Sequence, residues 1–391
     1  MGESLAQNVI YRNVYTFVVD ALGPGYAWLA YAVAALAIIL LVTNALLGMG
    51  TVWTWAERRL LGRFQSRLGP NRAGPFGVFQ PIADAIKLLT KEDIIPRAAD
   101  RLVFTLAPVV MLAPTLLVLA VIPFGRGSFL ADLNIGLLYL TAVSGIASVA
   151  VLMAGYASSN RFATLGAMRA AAMLLSYEVP LVMALLGVAL LAGSLSLVDV
   201  VESQSIPFLL VSPLGVLVFL VAISAELNRN PFDLTEAESE IVAGYMTEYS
   251  GMKYGIFMLA EFTNTLVAGA IFAVLFLQGY RWPLLPSHVW FLLKVGLFAF
   301  AAVWVRATLP RYRVDQVLTL AWKGLFPLSL LNVVLLAVEV VIFPKPGAGQ
   351  LALMGAINWP LSAVALGVVA RAVSLRSPRA PLAARVRREA A

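Results

Sequence analysis

The chain has 391 residues, 61% of them hydrophobic and only 13% charged. Soluble domains are about 45–50% apolar and about 25% charged, so the composition excludes an ordinary soluble domain and predicts a membrane protein. Cysteine is absent and His288 is the one histidine. The chain alone therefore cannot ligate an iron–sulfur cluster, a bis-histidine haem or a structural zinc ion, and any redox centre is expected on a partner subunit.

Nine apolar segments are long enough to cross a membrane as helices, since a span needs about 20 residues. They cover residues 27–55, 103–123, 135–155, 170–192, 208–225, 255–277, 289–304, 325–343 and 351–371. The predicted fold class is an all-α, polytopic membrane helix bundle that forms one transmembrane domain over residues 1–391. Glu3 and Asp20 stand where a cleaved signal peptide would carry basic residues, so such a peptide is not expected.

Basic residues outnumber acidic ones by 28 to 21, which in a soluble protein would suggest nucleic acid as a partner. Their distribution favours another interpretation. With the N-terminus outside, the inner segments contain 23 of the 28 Lys and Arg residues, and basic loops resist translocation. We therefore expect the N-terminus outside, the long charged loops and the basic tail 372–391 inside, and no nucleic-acid partner.

The first inner loop, residues 57–101, is too polar to span the membrane and too apolar to be a free linker. Pro81 suits the first turn of a helix that would lie along the membrane surface. Its apolar face would hold Ile82, Ala83, Ile86 and Leu89, and its polar face Asp84, Lys87 and Lys91. The loop's arginines either hold anionic lipid headgroups and set the topology, or they line a docking surface; both interpretations stay open.

The second inner loop, residues 226–254, is acidic. Asp233 and Glu236 fit an N-cap and its reciprocal partner, which is a purely structural role. Glu240 lies one helical turn after Glu236, where like charges repel, and in a water-poor cavity burial and proximity would raise the pKa of these carboxyl groups. Such groups could hold and pass protons.

Glu178, Glu261 and Lys294 fall well inside predicted spans, whereas Glu339 lies near the outer end of the span 325–343 and could reach the interface. An ionised side chain at the centre of a span costs roughly 2.5 to 3.5 kcal/mol, so each should face the protein interior or water. The alternative to a proton relay is a paired charge that only fastens helices together.

Two long stretches carry a family resemblance. Residues 57–96, with Ala56 before them, contain A-E-R, L-G-P-N-R-x-G-P-x-G and Q-P-x-A-D-x-x-K-L elements. Residues 225–240 follow the pattern A-E-x-N-R-x-P-F-D-L-x-E-x-E-S-E. Glu178 stands in an S-Y-E-V element, Glu261 in an A-E-F element, and residues 306–316 read RATLPRYRVDQ. This chain resembles the H-type membrane subunit of bacterial NADH:quinone oxidoreductase, respiratory complex I, which is equivalent to chain 1 of the mitochondrial enzyme.

The resemblance implies a quinone-binding subunit of the bacterial plasma (inner) membrane. Residues expected at the quinone entrance and chamber are Glu57, Arg58, Arg67, Asp84, Lys87 and Arg229. The expected proton relay consists of Glu178, Glu226, Asp233, Glu236, Glu238, Glu240, Glu261 and Lys294. Met173 departs from the family, which usually has glutamine five residues before the glutamate at 178, so the hydrogen bonds around Glu178 are expected to differ.

The resemblance also implies which groups other chains supply. Quinone is the substrate and is not covalently bound, whereas flavin and iron–sulfur clusters belong to partner subunits. Soluble iron–sulfur and quinone-site subunits are expected on the inner face, and further membrane-arm subunits laterally in the lipid membrane. The alternatives are a related membrane subunit of a hydrogenase or of a ferredoxin- or deazaflavin-linked oxidoreductase, and an independent secondary transporter.

Overall fold

The computed structural model describes residues 9–234, 241–344 and 346–376, without the side chains at 9, 10, 22, 24 and 372–376. These residues form helices and connecting loops, with no strand among them. The reason is the apolar sequence, because in hydrocarbon every backbone N–H and C=O group must find its partner within the segment. Eight of the helices are long and apolar enough to cross a membrane. The prediction of an all-α, polytopic bundle is confirmed.

The helices are numbered here in chain order. They are α1 Val9–Leu22, α2 Ala27–Phe64, α3 Gln80–Thr90, α4 Arg101–Val118, α5 Gly136–Ser144, α6 Ile146–Ala157, α7 Arg161–Ala192, α8 Leu197–Ser203, α9 Phe208–Val211, α10 Pro213–Glu226, α11 Gly251–Phe276, α12 Ser287–Thr308, α13 Val314–Thr319, α14 Phe326–Ile342 and α15 Ala348–Arg376. Helices α5 and α6 follow one another through Gly145 and form a single span, and a π-helical turn, Leu320–Leu325, joins α13 to α14.

The predicted continuous span over residues 208–225 is wrong. Ser212 leaves the helical conformation at φ −124° and ψ 71°, and Pro213 begins a new helix because it has no N–H to continue the preceding one. The resulting α10 has 14 residues, about 21 Å, which is less than the hydrocarbon thickness of about 30 Å. The other eight predicted spans correspond to long apolar helices.

The C-terminal helix α15 packs against this break. Asn358 Nδ2 donates to the Val211 carbonyl at 3.0 Å, and Trp359 Nε1 donates to the Leu210 carbonyl at 3.1 Å. A Cβ on Gly355 would lie 2.8 Å from the Leu210 oxygen, so only glycine permits this approach of the two backbones. Helix α15 thus supplies the hydrogen bonds that the interrupted span cannot make internally.

The charged loops meet at one end of the bundle, called here the loop face. It is formed by the end of α2, the helix α3, and the segments 227–234, 241–250 and 309–316. Helix α2 has 38 residues, about 57 Å, so its last turns continue past the apolar run 27–55 and bring Glu57, Arg58 and Arg59 to this end. Helices α7 and α11 are the most buried of the long helices and form the centre of the bundle. Both extend to the loop face.

Candidate functional site

The core of the site is an ion pair between Glu57 and Arg229. Glu57 lies near the end of α2 and Arg229 follows α10, and the two side chains are only 4% and 8% exposed. Arg229 Nη1 donates to Glu57 Oε1 at 2.9 Å, and its guanidinium stacks over the Phe262 ring with its carbon 4.7 Å from the centroid. Two elements that are 172 residues apart in sequence are therefore joined by a desolvated charge pair.

Two further residues extend this pair into a network. Arg229 Nε lies 3.1 Å from Glu261 Oε1 on α11, and Arg306 at the end of α12 donates to the same Glu57 oxygen as Arg229. The charges alternate along the order Arg306, Glu57, Arg229 and Glu261, which we call the charge network. Alternation is the arrangement that lets several buried charges remain together, because each neighbour offsets the desolvation of the next.

Asp233 lies beside this network. Its side chain is largely buried, and its Oδ2 accepts from Arg311 Nη2 at 2.7 Å. Arg306 and Arg311 both belong to the 306–316 segment. The sequence marked this segment as a motif, but neither arginine was assigned a role of its own. Glu236, Glu238 and Glu240 lie outside the described residues, so the predicted relay positions on that segment stay predictions.

The first charged loop has its own ion pairs. Arg58 Nη1 donates to Asp84 Oδ2 at 2.5 Å, and Lys87 Nζ lies 3.2 Å from Asp84 Oδ1, which also accepts from Gln80. Partial burial acts to raise the pKa of Asp84, but the hydrogen bonds from Arg58, Lys87 and Gln80 outweigh it and hold the pKa below its ordinary value. Asp84 is therefore an ionised anchor that ties α3 to the end of α2.

Arg67 is not part of that anchor. Its Nε donates to Gln65 Oε1 at 2.6 Å, and the side chain stays exposed on the turn that precedes α3. Gly77 closes this turn at φ +75°, where an added Cβ would overlap the Pro70 carbonyl. The turn therefore has a defined shape, and Arg67 is presented at its surface.

Helix α3 is amphipathic as expected. Ile82, Ile86 and Leu89 share one face and are 55%, 57% and 66% exposed, whereas Asp84 and its partners occupy the other. Exposed apolar area of this kind is characteristic of a helix that lies in a membrane interface. The site therefore has an exposed apolar helix face beside the exposed charges of Arg58, Arg67 and Lys87.

Besides the charge network, two carboxylates lie close together inside the bundle. Glu178 on α7 and Glu226 at the end of α10 line one small cavity of about 20 Å³, together with Ser144 and Ser148. Glu226 Oε2 is buried and accepts no hydrogen bond from the residues that the structure describes. Gly145 leaves room for Glu178, because a Cβ there would lie 2.9 Å from its Oε1.

This cavity adjoins a larger one of about 40 Å³. Ser144 and Glu226 line both, and the larger one extends to Thr115 on α4 and to Asn264 on α11. Its lining is mostly apolar but includes four polar residues, Thr115, Ser144, Glu226 and Asn264, so a water molecule would find both room and hydrogen-bond partners there. Asn264 is three residues after Glu261 and hence on the same side of α11, so polar groups continue from the charge network to the Glu178–Glu226 pair.

Lys294 is not brought together with these carboxylates. Its Nζ donates to the carbonyls of Leu277, Gly279 and Arg281 at 2.6, 2.7 and 3.3 Å. These carbonyls follow the last turn of α11, at the end of the bundle opposite to the loop face. The geometry favours the alternative that Lys294 fastens helices, since all three of its N–H donors are used by backbone oxygens.

Sequence reasoning missed Arg306, Arg311 and Asn264. Arg306 and Arg311 could have been noticed because basic residues directly after an apolar span are placed beside the acids of a neighbouring loop. Asn264 had a weaker signal, a polar amide one turn after a buried glutamate. No local pattern reveals which acids Arg306 and Arg311 contact, or that Asn264 lines the same cavity as Glu226.

The fold and the site define a polytopic membrane subunit whose charged loops are joined to buried carboxylates. Comparison of the sequence with protein families then gives the particular group: a family described as NADH dehydrogenase matches residues 36–337. The chain belongs to this family.

Three of its relatives share one name, the H-type subunit of NADH-quinone oxidoreductase. The chain is 55% identical over 293 residues to the one from Dehalococcoides mccartyi, a match that covers 75% of this chain and 83% of that protein. It is 49% identical over 323 residues to the one from Geobacillus kaustophilus, covering 81% and 96%. It is 45% identical over 328 residues to the one numbered 2 from Syntrophobacter fumaroxidans, covering 81% and 99%. Helix α15 lies beyond the family match.

Proposed function

We propose that this chain forms the quinone chamber of a proton-translocating NADH:quinone oxidoreductase and couples quinone reduction to proton transfer through buried carboxylates. The names of the relatives support the reaction, and they favour an oxidoreductase subunit over an independent transporter. The electron donor is NADH by the same argument. The proposed location is the bacterial inner membrane, with the N-terminus outside and the loop face cytoplasmic.

The charge network is the observation that carries this proposal. Glu57 belongs to the network, and the next residue, Arg58, belongs to the anchor of α3 at the surface. A charge that appears or disappears near this anchor would act on a chain of desolvated ion pairs, where electrostatic effects are larger than in water. The network can therefore transmit a redox event at the loop face to groups inside the bundle.

The surface around α3 has the two properties that a quinone entrance requires. The exposed apolar face of α3 offers a surface for a hydrophobic carrier that arrives from the bilayer. Arg58, Arg67 and Lys87 offer cationic donors for a polar headgroup beside it. The reduction itself is assigned to an iron–sulfur cluster of a neighbouring subunit, because this chain has no cysteine with which to ligate one.

The inward route would run from Glu261 past Asn264 to Glu226 and Glu178. Two carboxyl groups that share a small, water-poor space favour a state with one proton between them, since both cannot be ionised there without cost. A change in the charge network would shift that proton. Glu236, Glu238 and Glu240 would add further positions, and the lateral membrane subunits would receive the proton.

The test replaces Glu178 or Glu226 by glutamine in the intact complex. We expect NADH-driven quinone reduction and acidification of inverted membrane vesicles to fall together, at least about tenfold, because a proton-transfer group is lost. Glu339→Gln is the matched control, since Glu339 is also a half-buried glutamate of a span but bonds to Asn358 away from the route. Intact reduction and pumping in both variants would disprove the proposal.

Two measurements accompany the test. A native gel establishes whether each variant chain is assembled, and Gly145→Ala displaces the Glu178 carboxylate without changing any titratable group. Mass spectrometry of the native assembly identifies the co-migrating chains. Flavin and iron–sulfur subunits are expected among them, whereas hydrogenase chains in their place would favour the related alternative.

A further inference from the structure

A larger cavity, of about 630 Å³, opens at the end of the bundle opposite to the loop face. Helix α11 runs from the loop face to Phe276, about 39 Å in 26 residues, and α12 returns, so the connecting residues 277–286 lie at the far end. The volume is within the range of about 300–1,000 Å³ that small-molecule sites occupy. The proposed proton route does not use this cavity.

The wall of the cavity is held in one shape by buried hydrogen bonds. Lys294 binds three carbonyls of the 277–281 segment, as described above. Gln204, which is 0% exposed, accepts from Gln278 N and donates to the Val274 carbonyl, while Gln278 Nε2 donates to the Gln204 carbonyl. A preorganised wall reduces the ordering cost of binding a ligand.

The cavity is basic. Arg126, from the loop after α4, and Arg281 both line it, and no Asp or Glu is among its lining residues in the described part of the chain. Arg281 is oriented by its donations to the carbonyls of Glu202 at 2.7 Å and Val201 at 3.3 Å. Burial and the nearby Glu202 raise the pKa of Tyr280 in the same wall, so its hydroxyl keeps a proton that it can donate. These groups suit an anion with several acceptor oxygens.

Apolar and aromatic residues lie at the edge of the cavity: Trp282, Pro283 and Leu285 line it, and Leu284 lies between the last two in sequence. Trp282 and Trp290 pack edge to face with ring centroids 4.9 Å apart, and Trp282 is 46% exposed. Leu284 is 97% exposed and has a φ of +83°, a conformation rare outside glycine that turns the loop tip outward. Tryptophan prefers the headgroup level of a bilayer, and a fully exposed leucine next to it is favoured among acyl chains. An exposed tryptophan and an exposed leucine beside the cavity are therefore the residue types expected where a membrane protein meets lipid.

We infer that this cavity binds the headgroup of an anionic phospholipid, with its phosphate between Arg126 and Arg281 and its acyl chains against the loop tip at Leu284. Basic pockets between spanning helices recognise anionic headgroups on the cytoplasmic side of membranes. The two arginines offer the same charge-assisted contacts to a headgroup of the opposite leaflet. A free phosphate would use the same arginines but would gain nothing from the Trp282 and Leu284 rim. The inference is independent of the proposed quinone and proton chemistry.

The test uses the intact complex, purified in mild detergent, and phosphatidylglycerol that carries a photoreactive acyl chain. We expect cross-links on the peptide that contains residues 278–290, mapped by mass spectrometry. Unlabelled phosphatidylglycerol should compete, whereas phosphatidylcholine and free glycerol phosphate should not. Arg126→Gln should reduce the cross-linking about fivefold, because each basic group near the headgroup contributes roughly that factor.

Arg12→Gln is the matched control, since Arg12 is an exposed arginine on α1 that does not line the cavity. Arg281→Gln should act like Arg126→Gln, and Arg126 is the cleaner variant because Arg281 also holds two backbone carbonyls of the wall. Equal labelling by a phosphatidylcholine probe, unchanged labelling in Arg126→Gln, competition by glycerol phosphate alone, or cross-linking of this peptide to a protein subunit would each overturn the inference.

Discussion

Replacing Glu57 by glutamine tests the charge network most directly. Glutamine keeps the shape of the side chain but removes the charge, so Arg229 and Arg306 would face each other without the carboxylate that now lies between them. The Glu57–Arg229 pair is buried, and breaking such a pair from one side costs about 3–5 kcal/mol. Arg306 is 28% exposed, so its part is discounted by solvent and Arg306→Gln should cost only about 1 kcal/mol.

The expected order of destabilisation is therefore Glu57→Gln, close to Arg229→Gln, and then Arg306→Gln. The double variant of Glu57 and Arg229 should cost less than the sum of the two singles, with a coupling of about 0.5–3 kcal/mol. The assay heats membranes that contain the complex and measures the fraction of native-size assembly. Glu92→Gln, an exposed glutamate on the same loop, is the control. An unchanged midpoint in Glu57→Gln, or a larger effect in Arg306→Gln, would refute the reasoning.

Two further predictions concern the contacts of Lys294 and Asp84. Lys294→Met should lower the thermal stability of the assembled subunit by about 1–3 kcal/mol, because buried carbonyls lose their donor. The ratio of protons pumped to electrons transferred, measured in vesicles, should stay unchanged. A reduced ratio in a fully assembled complex would show that Lys294 belongs to the relay. Asp84→Asn should release α3, measured as up to about fivefold faster hydrogen exchange of residues 80–90 at neutral pH. Since the folded pKa of Asp84 is lowered, this stabilisation is complete above the ordinary pKa of about 4 and is lost only as the pH falls through the lowered value. Equal exchange in the variant at neutral pH would contradict the anchoring role.

Most of the bundle could be predicted from the sequence. A run of apolar residues in a bilayer has few alternatives to a helix, since its backbone groups must bond within the segment. The amphipathic α3 could also be predicted, because Pro81 and the spacing of Ile82, Ile86 and Leu89 act within one helix. Both inferences depend on local interactions only.

The features that the sequence did not reveal have a common physical cause. The break at Pro213 was missed because average hydropathy over a window ignores one absent N–H. Lys294 was assigned to the relay because the cost of a buried charge reveals that a partner exists, and not which one. The partners of Glu57 are 172 and 249 residues away, and such pairings are decided by how helices pack. The family resemblance pointed to Glu57 and Arg229 but not to their contact.

The attachment of α15 to the interrupted span has a consequence for work with shortened or chimeric chains. The family match ends at residue 337, before the helix whose Asn358 and Trp359 cover the Leu210 and Val211 carbonyls. Ending the chain before Ala348 would leave the Leu210 and Val211 carbonyls exposed to hydrocarbon, next to the start of the helix that carries Glu226. Segments exchanged with relatives should therefore keep residues 208–226 and 348–376 from the same parent.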